Sequence, residues 1–395
     1  MVRHPYRLSV KGAAWFSAAL ARYCLVLLAA LFAIAWGGLH DARAEIVLTD
    51  ATGREVRLAA PATRIVTNES LLLLSLALID PDPVARLAGW ATPRRVDRGM
   101  YEAFRKRFPA IDDIPVVGGV VPANVSVETI LSARPDLFVV SLWQPGWESV
   151  TGRLNAAGVP VIFLDGPENA ARDPAEATSF SIRLLGKAIG REVQAGEFAD
   201  FVMKRYQAVA ERLEGVEQRP NAIIDAHAGA LCCATPGAEN RLTQFMQLAG
   251  GHSIGADTVP GYDGQLSAEY VLGVDPQVYI GTGGPHLAAQ GGLVVGGGID
   301  AQAARASLRS VVGRHLLGEL TAVREGRAFA VSHQLSISAL NVLMLECFAK
   351  WTHPDLFAEL DPAETLAEIN RRFMAVPIEG TFWIGLEDET VRQQP

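Results

Sequence analysis

"SVETILSARPDLFVVS" runs from Ser126 to Ser141, and the chain repeats its pattern 141 residues later. The second copy, "SAEYVLGVDPQVYIGT" from Ser267 to Thr282, aligns with it without gaps. Ser126 falls on Ser267, Glu128 on Glu269, Leu131 on Leu272 and Pro135 on Pro276. Each copy predicts the same local structure. The serine caps a helix, and the glutamate two places on sits where the helix dipole favours negative charge. The helix lasts about two turns, because the residue before a proline is driven out of helical geometry. A short apolar run then reads as a buried parallel strand, and a loop follows: "SLWQPGW" in one copy, "GTGGPH" in the other.

Outward from each copy, strands alternate with helical stretches. "RIVT", "VARLAGW", "IPVVGG", "LFVVS" and "VIFLD" are strand candidates in the first half; "NAIIDAH", "VYIGT" and "AFAVSH" are candidates in the second. Both halves are therefore expected to be α/β with mainly parallel sheets. Asp173 to Val216 is helix-forming almost throughout, with Gly190 as a break. A flexible linker would be rich in Gly, Ser and Pro, and this segment is the reverse. The expected architecture is two α/β lobes, 45–172 and 218–395, joined through the helical segment 173–217 by one long rigid helix starting near Arg191. Ligands of open parallel sheets sit beyond the carboxyl ends of the strands, so the loops there should line a cleft between the lobes.

Residues 1–44 read as an export leader. Arg3, Arg7, Lys11 and Arg22 precede the apolar run "CLVLLAALFAIAW", and "ARA" ends at Ala44. Basic residues, a short apolar run and a small-x-small site are the marks of a signal peptide. The run falls short of the roughly 20 residues a membrane span needs. Cleavage would start the mature chain near Glu45, in the periplasm, and take the formal charge from -8 to -12. Such an acidic chain is a poor partner for nucleic acid or anionic lipid. Cys232, Cys233 and Cys347 would remain, allowing one disulfide at most. A chain with 49% hydrophobic residues is held by its core instead. Cys347, in "LNVLMLECFAKW", is expected to be a core thiol.

Beyond the leader, nearly the whole chain resembles the periplasmic substrate-binding proteins of ABC importers for iron-siderophores, haem and cobalamin. "LTDATGREVRLAAPATRIVT" is similar to that family's opening hairpin and first strand, and the two echoing stretches to its helix-strand units. "LGELTAVREGRAFAV" followed by "HPDLFAEL" is similar to its C-terminal signature. The resemblance implies a monomer of two lobes that move little on binding. It also implies that one glutamate per lobe, Glu128 and Glu269 here, docks onto arginines of a permease dimer in the inner membrane.

The candidate ligand-binding residues follow from the positional rule. Asn68, Glu69 and Ser70 come after the first strand, where a helix starts and backbone N–H groups face outward. Trp90, Trp143 and Trp147 follow or flank first-lobe strands and suggest an apolar platform for a bulky ligand. Tyr262 and His286 lie in second-lobe loops and are side chains that can ligate haem iron. His227 ends a strand, where histidines serve as hydrogen-bonded structure or touch ligand.

Cys232 and Cys233 follow in "HAGALCCATPG". Neighbouring side chains in extended chain point to opposite faces, and zinc sites favour C-x2-C spacings, so chelation is disfavoured. That leaves a cleft wall or a vicinal disulfide, or a pair of inert small hydrophobes. No H-E-x-x-H, G-x-S-x-G or P-loop is present, which argues against an enzyme. A thiol- or metal-dependent exported enzyme is the remaining alternative. The expectation is a carrier with no resident cofactor or metal of its own, binding a metal chelate. A ferric siderophore leads, and cobalamin or haem are the alternatives.

Overall fold

The computed structural model describes residues 45–141, 144–229, 232–314 and 317–387. The leader and Trp143 lie outside the described residues. The chain opens with an antiparallel hairpin of β1 (Ile46–Thr49) and β2 (Glu55–Leu58). The first lobe is built on β3 (Ile65–Thr67), β4 (Leu87–Trp90), β5 (Leu137–Val140) and β6 (Val161–Phe163). They form one parallel sheet in the order β4-β3-β5-β6. Strand β5 is buried along its whole length, as a strand covered on both faces must be.

The second lobe contains β7 (Asn221–Asp225), β8 (Ala234–Pro236), β9 (His252–Ser253), β10 (Asp263–Gln265), β11 (Val278–Gly283), β12 (Gly296–Gly297), β13 (Ala328–Ser332), β14 (Gly380–Thr381) and β15 (Trp383–Gly385). Its main sheet has the order β15-β13-β11-β7-β9, and β15 alone pairs antiparallel in it. Strands β8 with β10, and β12 with β14, make two small ribbons.

The echo holds down to backbone angles. Ser126 accepts the Thr129 N–H and caps the helix Val127–Ser132; Ser267 accepts the Tyr270 N–H and caps Ala268–Val274. Before each proline the chain turns through a left-handed residue, Arg134 at φ 49° and Asp275 at φ 47°. Two strand candidates fare differently. "VARLAGW" begins as a helical turn, Pro83–Arg86, capped by Asp82, and only Leu87–Trp90 is strand. "IPVVGG" joins the sheet through the single bridge Trp90–Val116 before Gly118 turns away at φ 128°.

The segment 173–217 forms two helices. Asp173 caps Pro174–Ile189, and Gly190 ends it in the left-handed conformation (φ 70°) that glycine adopts without a Cβ clash. The second helix, Glu192–Arg212, has 21 residues, about 31 Å at the usual rise. The two pack antiparallel, with Arg183 paired to Asp200 at 2.5 Å and Gly186 against Ala195. This hairpin is fastened to both lobes. At its corner Arg191 meets Asp80 of the first lobe at 2.9 Å. Further along, Tyr206 donates to Asn341, which donates to Thr178, at 2.9 and 2.7 Å. One apolar core runs from Leu72–Leu74 through Phe198 and Val202 to Leu343 and Phe348. Bending the lobes apart would expose part of it, so the joint is stiff.

Candidate functional site

Three parallel strands of the second-lobe sheet run into a histidine at their carboxyl ends: β7 into His227, β11 into His286 and β13 into His333. The rings cluster. His227 lies over His333 with ring centroids 3.9 Å apart, and meets His286 edge-on at 5.6 Å. Thr282, buried on β11, organises them. Its hydroxyl accepts the His227 N–H at 2.9 Å and meets Nδ1 of His333 at 3.1 Å. His227 itself is held at φ 52°, a left-handed conformation uncommon outside glycine. Desolvation lowers the pKa of all three rings, helped by repulsion from Arg95, and His333 falls to about 3. The cluster is therefore neutral at pH 7.

The first lobe supplies the facing wall. Arg95 follows β4 and pairs with buried Glu69 at 2.8 Å. Glu69 also accepts the Leu71 N–H at 3.0 Å, so a carboxylate already fills the start of the helix Leu72–Ala77. Burial raises the Glu69 pKa, and the Arg95 charge opposes the rise. Ser70 donates to the Thr92 carbonyl at 2.8 Å, fixing the turn that aims Arg95. The Gln334 side chain donates to the Arg95 carbonyl across the cleft.

A cavity of about 420 Å³ opens between these walls, touched by Glu69, His227 and His333. A second space of about 360 Å³ adjoins it through Ala226, His227 and Asp263. Tyr262, 60% exposed, stands at the mouth of the first. Nearby, Arg241 crosses from the second lobe to the carbonyls of Asn169 and Arg172, at 2.9 and 2.8 Å. Among the described residues, no group of three or more His, Cys, Asp or Glu side chains is arranged to hold a metal ion.

Glu69, His227 and Tyr262 thus line the cavity, and His286 joins through its ring contact. Four expectations are corrected. Asn68 is fully buried and braces two loops, accepting Ser141 N–H at 3.0 Å and donating to Val120 O at 3.2 Å. Ser70 is likewise buried and engaged on backbone. Trp90 and Trp147 are each 1% exposed and belong to first-lobe cores, beside Tyr101 and Phe138. Trp90 closes strand β4 facing the core, and Trp147, in a Gly/Pro loop that could fold either way, turned inward to bury its large apolar area.

Cys232 and Cys233 are joined in a vicinal disulfide. Cys233 is buried and exchanges both backbone hydrogen bonds with Leu266, and Gln265 holds the Cys232 carbonyl. The pair sits beside Ala234 and Thr235, which border the smaller space. Cys347 is a buried free thiol. Arg95, His333, Thr282 and Arg241 were missed from sequence. The positional rule could have found His333 and Arg95, since each follows a sheet strand as His227 does. Glu128 and Glu269 are both exposed near their helix starts. Glu128 pairs with Arg153 at 2.7 Å, whereas Glu269 leans on its own backbone N–H and Ser267.

A family model described as periplasmic binding protein matches residues 74–335. No curated protein sequence matches the chain. Among solved structures, a TroA-like periplasmic binding protein, FepB, from Veillonella parvula is similar at TM-score 0.78 and 24% identity, covering 87% of this chain and 100% of that one. The Haemophilus influenzae molybdate-binding protein MolA, bound to molybdate, is similar at TM-score 0.64 and 14% identity, covering 85% and 99%. A protein of an ABC-type Fe3+-hydroxamate transport system from Saccharomonospora viridis gives TM-score 0.52 and 20% identity, covering 78% and 98%. At these identities the structural likeness speaks for the two-lobed fold.

Proposed function

Because this chain belongs to the periplasmic binding protein family of ABC transporters, we infer that it captures a metal chelate in the periplasm and delivers it to an inner-membrane permease. The observation that carries the reading is the pairing of two unlike walls: Glu69 and Arg95 on one lobe, three neutral imidazoles on the other. The hydroxyl that meets an imidazole, Thr282, is fully buried and its oxygen also accepts the His227 backbone N–H, so it is no exposed nucleophile. The cleft also carries little net charge, since Glu69 neutralises Arg95, and Asp165 and Asp263 line the same cavity as Arg241. A polyanion brought into such a cleft would lose hydration without gaining counter-charges. A low-charge ferric chelate of the hydroxamate class fits best, and cobalamin is the second reading on the same ground.

The carrier works as a monomer, released from its leader near Glu45, and Glu128 with Glu269 forms the docking surface for the permease dimer. Titration by intrinsic fluorescence against ferric trihydroxamate, ferric citrate, haemin and cobalamin tests the ligand reading. Tightest binding of the hydroxamate is expected. Tightest binding of citrate or haemin would overturn it.

A further inference from the structure

The cavity does not end at Glu69 and the imidazoles of His227 and His333. It continues downward to the first helix of the connecting hairpin, where Pro174, Ala177, Thr178, Ser181, Ile182 and Leu185 line it. These positions recur every three or four residues, so they form one face of that helix. Leu242 and Phe245, one turn apart on the helix Arg241–Leu248, face them from the second lobe. The hydroxyls on this floor are already committed. Ser181 donates to the Leu164 carbonyl at 2.7 Å, Thr178 to Pro174 at 2.9 Å, and Ser336 to His333 at 2.7 Å. The amides beside them are engaged too, Asn169 with Leu164 and Ser181, and Asn341 with Tyr206 and Thr178, so the aliphatic and ring carbons of Ala177, Ile182, Leu185, Leu242 and Phe245 are the part of this floor left to a ligand.

We propose that this floor is a second subsite, which receives an alkyl or acyl arm of the ligand while the level of Glu69, His227 and His333 holds its polar head. The inference rests on the chelate reading above and narrows it to amphiphilic chelates. The total space, about 420 Å³, is at the small end for a ligand site. It suits an arm and part of a head, with the remainder of the head at the open mouth beside Tyr262. The apolar contact that tryptophans seemed to promise is thereby supplied by aliphatic side chains at the other end of the cleft.

The test uses two ferric trihydroxamates that differ only in an eight-carbon acyl tail, together with a dansylated undecanoate as a tail-only probe. Wild-type protein should bind the tailed chelate about tenfold or more tightly than its tail-less partner. Ser181→Phe, which fills the floor, should erase that preference and lose the dansyl probe; Ala177→Leu should do so in part if the larger change impairs folding. Affinities within twofold of each other on wild type would overturn the subsite and leave the chelate reading standing. If neither chelate binds but the dansyl probe binds wild type and not Ser181→Phe, the subsite stands and the chelate reading fails.

Discussion

Asp97 of the first lobe accepts the backbone N–H of Gly297 in the second at 3.1 Å, and both residues are sealed from water. The approach is close because Gly99 lies against the same backbone, where a Cβ would have no room. Burial pushes the Asp97 carboxyl up to about 6, with the Gly297 N–H opposing.

A carboxyl raised from 3.8 to about 6 favours the folded state by about 3 kcal/mol when protonated, an order-of-magnitude figure. The folded state binds that proton more tightly than the unfolded chain does. The contribution is therefore complete below the unfolded pKa and lost as pH rises through 6. Glu346, buried and pushed up to about 7, acts in the same direction. The three imidazoles, whose pKa values burial lowers, oppose this below about 6.5, so thermal unfolding between pH 7.5 and pH 5 is read as the difference between wild type and an Asp97 variant. Asp97→Asn, which can still accept the Gly297 N–H, should be more stable at pH 7.5 and gain less on acidification. Equal gains in the two proteins would refute the assignment.

Thr282→Val keeps the side-chain shape but removes the hydroxyl that the His227 N–H and His333 Nδ1 share. A buried donor left unpaired costs about 1–3 kcal/mol. Both the unfolding midpoint and chelate affinity should fall, because the same hydroxyl holds the His333 ring and the backbone that carries His227. A lower midpoint with unchanged affinity would separate the imidazoles from binding.

Glu128→Arg combined with Glu269→Arg should abolish uptake in cells while leaving chelate affinity unchanged, since both carboxylates lie outside the cleft. The single changes should differ. Arg153 already occupies Glu128, so Glu269→Arg should be the more damaging. Uptake assays paired with titration of the purified variants decide the matter, and normal uptake by the double variant would reduce both residues to helix-start decoration.

Trp90→Ala should cost about 3–5 kcal/mol of stability, as loss of a buried aromatic does, and change affinity little. Cys232→Ser with Cys233→Ser should lower stability and still bind, because neither residue borders the main cavity. Denaturant melts beside titrations would separate the two effects, and loss of binding by the cysteine pair in a folded protein would contradict this placement.

The repeat around Ser126 and Ser267 was legible because its cues are local: a cap, a proline and an apolar run each act within a few residues. Gly190 and the helix after it were legible for the same reason. The strand-end rule reached Glu69, His227 and His286, which cluster in the folded chain. It could not say which way Trp90 or Trp147 would turn, because that depends on cavities elsewhere in the lobe. Arg95 and His333 become partners of one cleft only after two sheets are set facing each other, which no window of sequence contains.

The left-handed corners at Arg134 and Asp275 repeat one turn in both lobes, whereas the imidazoles stand on one wall only. If Glu128 and Glu269 are its docking points, the chain is handled at matched sites and loaded against unlike walls. A cargo held between unlike walls would keep one heading relative to the two rims, so a partner with two equivalent halves would receive it the same way round only if it could tell those rims apart. The Arg153–Glu128 pair on one rim, set against the differently held Glu269 on the other, is a mark by which that heading could be read.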